Sequence, residues 1–277
     1  MSVPNSLEIP AGVDVVTLRT SRGHFAAHEA RATHATRGHI LLIPGFTGSK
    51  EDFTPLLPLL AAAGWHATAY DQRGQFETAG TEDDDYSLAG FAADAVAVRE
   101  TSGAMQSHLL GHSFGGLVAQ TALVADPAAW LSLILLDTGP VGFESLDQVA
   151  PLQAAIEMVD EVGLDALHTA REESKQRQPA PEIATFLRTR FTSNAPESLK
   201  AIAGHLVSSA DRIDEIAAIA IPKLVARGID DDAWPHATQD EMAKRLGLEV
   251  VVIADSAHSP AVENTPATAK VLINFLG

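Results

Sequence analysis

The chain contains no cysteine. Disulfides, thiolate metal sites and a cysteine nucleophile are therefore excluded, and a reducing, cytoplasmic location is the expectation. Basic residues are scarce, with 19 Lys and Arg against 36 Asp and Glu and a net charge of −17. That balance argues against nucleic acid or an anionic membrane surface as partner, and against steering of a strongly anionic substrate. Long apolar runs are also missing. The long uncharged stretch that includes Ala104–Ala125 is interrupted by glycines, histidines and other polar residues, so no membrane span is expected. The segment Met1-Ser2-Val3-Pro4-Asn5-Ser6-Leu7-Glu8 lacks the basic and apolar regions of a signal peptide. Repeats and low-complexity tracts are absent. What is present is apolar content of 46% in 277 residues, enough for one large domain or one domain with a sizeable insertion.

The element around which the chain is organised is Ser107-His108-Leu109-Leu110-Gly111-His112-Ser113-Phe114-Gly115-Gly116. It reads Gly-x-Ser-x-Gly between a short apolar strand and a helical stretch, the context in which a sharp turn projects a serine hydroxyl clear of a sheet toward a base. The helix that follows aims its free N–H groups at the same point. Alone the pattern is weak, since glycine usage produces it by chance in roughly one chain in ten of this length. A base, an acid and an oxyanion donor elsewhere in the chain are needed to give it meaning.

Periodicity supplies the frame for them. Val13–Arg19 and Gly23–Glu29 read as an antiparallel strand pair, and His39–Ile43, Trp65–Tyr70, Leu131–Leu136, Pro222–Arg227 and Leu248–Ile253 as further strands beside the one preceding Ser113. Helices are expected at Phe53–Ala63 (after Ser49-Lys50-Glu51-Asp52, which has capping-box spacing), Tyr86–Glu100, Gly116–Ala125, Asp211–Ala220, Thr238–Leu246 and Ala261–Leu276. Strands alternating with helices predict an α/β fold with a doubly wound, mostly parallel eight-stranded sheet. From Val141 to Ala210 the pattern is helical only, with breaks near Gln176–Pro181 and Thr192–Pro196. The expected organisation is a core domain of residues 1–140 and 211–277 with a helical cap, 141–210, inserted after the sixth strand.

In open parallel sheets reactive groups gather beyond the carboxyl ends of strands. His258 lies just past the last strand, in Asp255-Ser256-Ala257-His258-Ser259-Pro260. Three aspartates, Asp230, Asp231 and Asp232, follow Pro222–Arg227. The turn Pro44-Gly45-Phe46 after His39–Ile43 offers a backbone N–H that can pair with that of Phe114 around an oxyanion. The order Ser, Asp, His is the one this arrangement requires.

With these residues in place the chain resembles the α/β-hydrolase fold superfamily, within its large group of serine esterases, lipases and cofactor-free peroxidase-like proteins, over essentially its whole length. The stretches that carry the resemblance are Ile43-Pro44-Gly45-Phe46-Thr47-Gly48-Ser49, Asp71-Gln72-Arg73-Gly74, Gly111–Gly116, Gly228-Ile229-Asp230-Asp231 and Ala257-His258-Ser259-Pro260. Where many relatives carry His-Gly this chain has Pro44-Gly45, which keeps the donor at Phe46 and loses a histidine hydrogen bond. The resemblance implies a catalytic triad of Ser113 as nucleophile, His258 as general base and Asp231 as the acid that orients it. It further implies an oxyanion hole of the Phe46 and Phe114 N–H groups, with no metal and no cofactor. The expected activity is that of a carboxylesterase, cleaving a small to medium apolar carboxylic ester through an acyl-enzyme. A lactonase or a C–C (diketone) hydrolase with the same triad is the alternative, and a non-catalytic ligand-binding homologue is the alternative of another class. Partners are expected to be a small ester-like substrate and, at most, a second copy of the chain, as monomer or homodimer.

Other residues are assigned to the framework. His112 is expected behind the turn, Arg73 tying loops together, Asp137 binding the backbone amides of its own Thr138-Gly139-Pro140 turn, and Trp234 packing near the pocket mouth. Asp230 and Asp232 are expected as loop or capping carboxylates, and His24, His28, His34 and His39 as scattered surface histidines rather than metal ligands. Of the apolar cap residues Phe143, Leu146, Leu152, Ile156, Met158, Val159, Phe186, Leu187, Phe191 and Leu206, a minority is expected to face the site.

Overall fold

The computed structural model describes residues 2–143, 145–173 and 179–277. It contains one eight-stranded sheet in the order β1-β2-β4-β3-β5-β6-β7-β8. The strands are β1 (Val13–Thr20), β2 (Gly23–Ala30), β3 (Gly38–Ile43), β4 (Trp65–Tyr70), β5 (Ser107–His112), β6 (Trp130–Leu136), β7 (Lys223–Gly228) and β8 (Val251–Ile253). β1 pairs antiparallel with β2, and β2 antiparallel with β4; every other neighbouring pair is parallel.

The central strands are apolar on both sides because helices cover both faces. Leu41 and Ile43 of β3 join Leu109, Leu133, Leu135 and Val225 in the layer beneath α2 (Leu88–Glu100) and α3 (Phe114–Ala125). Ile40 and Leu42 of the same strand enter the opposite layer, with Leu110, Ile134 and Leu136, beneath α1 (Leu57–Ala62) and α10 (Thr265–Leu276). The period-two alternation of side chains thus distributes one apolar run between two cores.

Helices α4 (Leu146–Glu173), α5 (Pro181–Thr192) and α6 (Pro196–Ser208) all lie between β6 and β7. α4 is two helices meeting at Gly163, whose φ of 75° breaks the helical path; that break is not marked in the sequence by any second glycine or proline nearby. Of the expected break at Gln176–Pro181, positions 176–178 lie outside the described residues. Helices α5 and α6 are tied to the sheet side by polar contacts. Arg190 donates to Asp52 (2.8 Å) and to the Ser2 carbonyl (2.6 Å), Ser198 donates to the Arg73 carbonyl (2.8 Å), and His205 meets the Tyr86 carbonyl (2.8 Å).

The remaining helices are α7 (Ile213–Ala217), α8 (His236–Arg245) and α9 (Pro260–Glu263). Three boundaries differ from the sequence expectation. Lys50–Asp52 is a separate 3-10 turn and α1 starts only at Leu57, because Pro55 disfavours helical geometry at Thr54 and the Lys50 N–H is drawn to Asp71 (2.7 Å). The last helix is split at Asn264, whose side chain accepts from the Ala267 N–H (3.3 Å) ahead of Pro266. β8 is only three residues long, because the Leu248 N–H turns back to the Ala243 carbonyl of α8 (2.9 Å). Among the described residues no helix is long and apolar enough to cross a membrane.

Candidate active site

The strand order reverses direction at β3. The chain runs outward from β3 to β4, then returns to place β5 on the other side of β3. Loops leaving the carboxyl ends of two such strands diverge and leave a crevice between them. The β3 loop carries Phe46 and the β5 loop carries Ser113, so the two stretches singled out in the sequence border the same crevice.

Ser113 occupies the turn between β5 and α3 with φ 55° and ψ −122°, a strained conformation for a residue with a side chain. Two hydrogen bonds secure the turn: the Ser113 N–H donates to the Leu136 carbonyl (3.0 Å) and the Gly116 N–H donates to the Ser113 carbonyl (2.8 Å). Gly115 is required by close approach, since a Cβ there would lie 2.3 Å from the Ile43 carbonyl oxygen. The absence of that one carbon lets α3 begin directly against the end of β3.

The Ser113 hydroxyl is 2.9 Å from His258 Nε2, and His258 Nδ1 is 2.7 Å from Asp231 Oδ1. A carboxylate only accepts, so Nδ1 carries the proton and Nε2 is left to accept from the serine. Asp231 is buried, whereas Asp230 and Asp232 on either side are exposed, and this selects one carboxylate of three. Asp231 is held by two further donors, the Ala233 N–H (3.0 Å) and the Gln239 amide (2.6 Å). Burial works to raise its pKa, but the bond and charge of His258 together with these donors outweigh burial and hold it below the usual carboxylate range.

The loop bearing His258 is fixed from two sides. Glu263 accepts from the N–H groups of Ala257 (2.6 Å) and Ser259 (3.2 Å), and His112 Nε2 donates to the His258 carbonyl (2.6 Å). Burial lowers the His112 pKa to about 4, so this imidazole is neutral at neutral pH. His112 therefore stands closer to the site than expected: it lines the cavity with Ser113 instead of lying behind the turn. Gln239, Glu263 and this contact of His112 escaped sequence reasoning. None belongs to a motif, and each matters only through a partner at a distance in the chain.

Among the described residues, the N–H groups of Phe46 and Phe114 have no protein acceptor. The β3 loop that presents Phe46 is braced by Gln72, which donates to the Pro44 carbonyl (2.9 Å), and by Gln75, which accepts from the Thr47 N–H (2.9 Å). These two glutamines brace the loop from the segment that follows β4.

Ser113 and His258 open into a cavity of about 500 Å³ between the sheet and α4–α6. Phe143, Leu152, Leu167, Phe191, Leu199 and Leu206 give it apolar walls. Four of these belong to the apolar positions noted in the sequence; Val159 and Leu187 are buried elsewhere, Met158 faces solvent, and the side chain of Leu146 lies outside the described residues. Polar groups reach the cavity at Ser2, Asp52 and Arg171.

Three other expectations need correction. Asp137 does not bind the amides of its own turn; its Oδ1 accepts from the Gly228 N–H (2.8 Å) at the end of β7. His28 and His39 are not surface histidines. Both are buried, His28 against Thr54 (2.7 Å) and His39 between Ser107 (2.8 Å) and Thr68 (3.0 Å), while His24 and His34 are exposed. Arg73 ties loops together as expected, donating to Asp94 (2.8 Å), Asp84 (3.0 Å) and the Arg22 carbonyl (2.6 Å). Trp234 is buried beside Phe143, with its indole N–H on the Val141 carbonyl (3.2 Å). The one group of three metal-capable side chains among the described residues is Asp137, Asp231 and His258, and there His258 Nδ1 is already committed to Asp231.

This fold, with a serine on a strained strand-to-helix turn at the switch point, defines a class of hydrolases. Residues 40–271 match the alpha/beta hydrolase family, and the chain belongs to it. It is 26% identical over 246 residues, 86% of this chain and 91% of the relative, to RutD from Variovorax paradoxus (strain S110), named as a candidate carbamate hydrolase. Among solved structures it is similar to a thermophilic esterase from Thermogutta terrifontis, with 22% identity, TM-score 0.76 and coverage of 95% of this chain and 98% of that one. It is equally similar in fold to the enol-lactonase from Burkholderia xenovorans LB400, with 19% identity, TM-score 0.77 and coverage of 94% and 99%.

Proposed function

We propose that the protein is a serine hydrolase that cleaves a small to medium, largely apolar carboxylic ester through an acyl-enzyme on Ser113. The observation that carries this reading is the hydrogen-bonded series Asp231–His258–Ser113 opening into an apolar cavity of about 500 Å³. In this mechanism His258 Nε2 takes the hydroxyl proton as Ser113 Oγ attacks the acyl carbon. Asp231 stabilises the imidazolium and keeps Nδ1 protonated throughout. The developing oxyanion accepts from the Phe46 and Phe114 N–H groups, the second of which lies at the positive end of α3. His258 returns its proton to the leaving alcohol. It then draws a proton from water as that water attacks the acyl carbon, and passes the proton to the departing Ser113 Oγ, which releases the acid and restores the hydroxyl. In this scheme α4–α6, within residues 141–210, act as the cap whose apolar walls exclude water and select the acyl chain.

Ser113→Ala tests the reading. Turnover of p-nitrophenyl butyrate is expected to fall by roughly a thousandfold or more, with the melting temperature preserved, and a fluorophosphonate probe should label the wild type but not the variant. Unchanged turnover, or labelling elsewhere, overturns it.

A second reading rests on Arg171, a partly buried cation at the cavity wall. A guanidinium there suits a substrate with a carboxylate remote from the scissile bond, as in an acid-bearing lactone or diketone. Preference for mono-p-nitrophenyl glutarate over its methyl-capped counterpart would favour it.

A further inference from the structure

Asp137 closes β6 one strand away from Asp231, and carboxylate oxygens of the two lie within 4.8 Å of each other and of a His258 ring nitrogen. Both side chains are buried. Their partners are unequal. Asp231 accepts from three groups: the Ala233 N–H, the Gln239 amide and His258 Nδ1. Asp137 accepts from one, the Gly228 N–H, through Oδ1; its Oδ2 is buried with no partner, and among the described residues no ion pair reaches it. Two bare carboxylates this close in a site shielded from water repel strongly, and the arrangement is relieved when one of them takes a proton. The carboxylate with three donors keeps its charge, so the proton belongs on the other.

We propose that Asp137 is a neutral carboxylic acid in the folded protein and donates a hydrogen bond from Oδ2 to the Asp231 carboxylate, acting as a positioning residue for the acid that orients His258. The inference rests on the reading of Asp231 given under Proposed function. It accounts for the unpartnered oxygen and supplies Asp231 with a fourth donor. It also gives a role to a side chain held on a backbone of positive φ, 46°. From there its N–H pairs with the Ala226 carbonyl (2.9 Å) and its carboxyl with Gly228, so β6 is pinned to the strand end from which the Asp231 loop departs. Burial first, then the charges of Asp231 and Glu263, push the Asp137 carboxyl well above the usual range, and the Gly228 N–H opposes them without reversing the direction. The groups that face it are Asp231 from the β7 loop, His258 from the β8 loop and Glu263 from α9.

Asp137→Asn is the decisive variant. Asparagine tolerates positive φ, its carbonyl can keep the Gly228 N–H, and its amide can replace the O–H donor. The first measurement uses no substrate: the infrared difference spectrum of wild type minus Asp137→Asn at neutral pH. A protonated carboxylic-acid C=O band in the wild type is expected, and its absence overturns the proposal whether or not Ser113 catalyses anything. The second is the pH dependence of kcat/KM for p-nitrophenyl butyrate. Asp137→Asn should stay within about threefold of wild type with its acidic limb unmoved, whereas Asp137→Ala should lose about tenfold in kcat with KM little changed. An acidic limb displaced downward by about one pH unit in Asp137→Asn would mean that a negative charge had been removed from beside His258, and would overturn the assignment. If no form turns over any ester, the hydrolase reading falls and the infrared band alone decides for or against a neutral Asp137.

Discussion

His112 Nε2 donates to the His258 carbonyl at 2.6 Å, so the residue immediately before Ser113 holds the loop that carries His258. The two rings lie 5.1 Å apart, and the contact joins positions 146 residues apart in the chain. Replacing His112 by Phe keeps the ring packing and leaves a buried carbonyl without a donor, which costs about 1–3 kcal/mol. The expected result is a loss of roughly tenfold in kcat for p-nitrophenyl butyrate with KM nearly unchanged, because the loop supporting His258 loosens while the cavity walls stay. Steady-state kinetics check this.

The aspartate run offers a test of selection by burial. Asp231→Asn should lower kcat by about a thousandfold or more, because an amide in place of the carboxylate favours the wrong tautomer of His258. Asp230→Asn and Asp232→Asn, both at exposed positions, should remain within about twofold of wild type. Equal losses at two positions would show that the acid had been misassigned.

Arg190 is fully buried and pairs with Asp52 at 2.8 Å, fastening α5 to the segment that follows β3. Arg190→Met strands a buried carboxylate and should cost about 3–5 kcal/mol. Arg190→Met combined with Asp52→Leu should recover most of that loss, because no unpaired charge then remains. Urea melts of the two variants test the difference.

Two glycines separate close approach from mere presence. Gly115→Ala drives a Cβ to 2.3 Å from the Ile43 carbonyl oxygen and should cost about 3 kcal/mol or more, displacing α3 from β3. At Gly204, inside α6, an added methyl group would meet nothing within 4 Å, so Gly204→Ala should stabilise by about 0.5–1 kcal/mol. Differential scanning calorimetry distinguishes the signs.

Acid should unfold this protein through its buried histidines. Burial lowers His112 to about 4 and, helped by the charges of His66, Arg99 and His108, lowers His39 to about 3. In the unfolded chain both titrate near the ordinary value of about 6.5. Between that value and about 4 these histidines bind more protons in the unfolded state, so their contribution to stability is full above about pH 6.5 and falls as the pH drops toward 4. His112 alone accounts for roughly 3 kcal/mol of this. Melting temperature against pH should therefore decline over that window, and His39→Gln should make the decline shallower.

Sequence and tertiary structure decide different features of this protein. The turn around Ser113, the strands on either side of it, and the placement of Asp231 and His258 after β7 and β8 follow from local rules. Apolar runs make buried strands, and reactive residues at their carboxyl ends share one edge of a parallel sheet. Phe46 was legible for the same reason. The partners of these residues were not legible, because they depend on which strands are neighbours. Asp137 meets Asp231 only because β6 pairs with β7. Gln239 reaches Asp231, and Glu263 the amides around His258, only because α8 and α9 pack back on the loops they follow. Burial made the remaining decisions. It separated Asp231 from its two neighbours, enclosed His28 and His39, and left six large apolar residues of positions 141–210 facing the cavity, because exclusion of water is a property of the assembled layers and of no single segment.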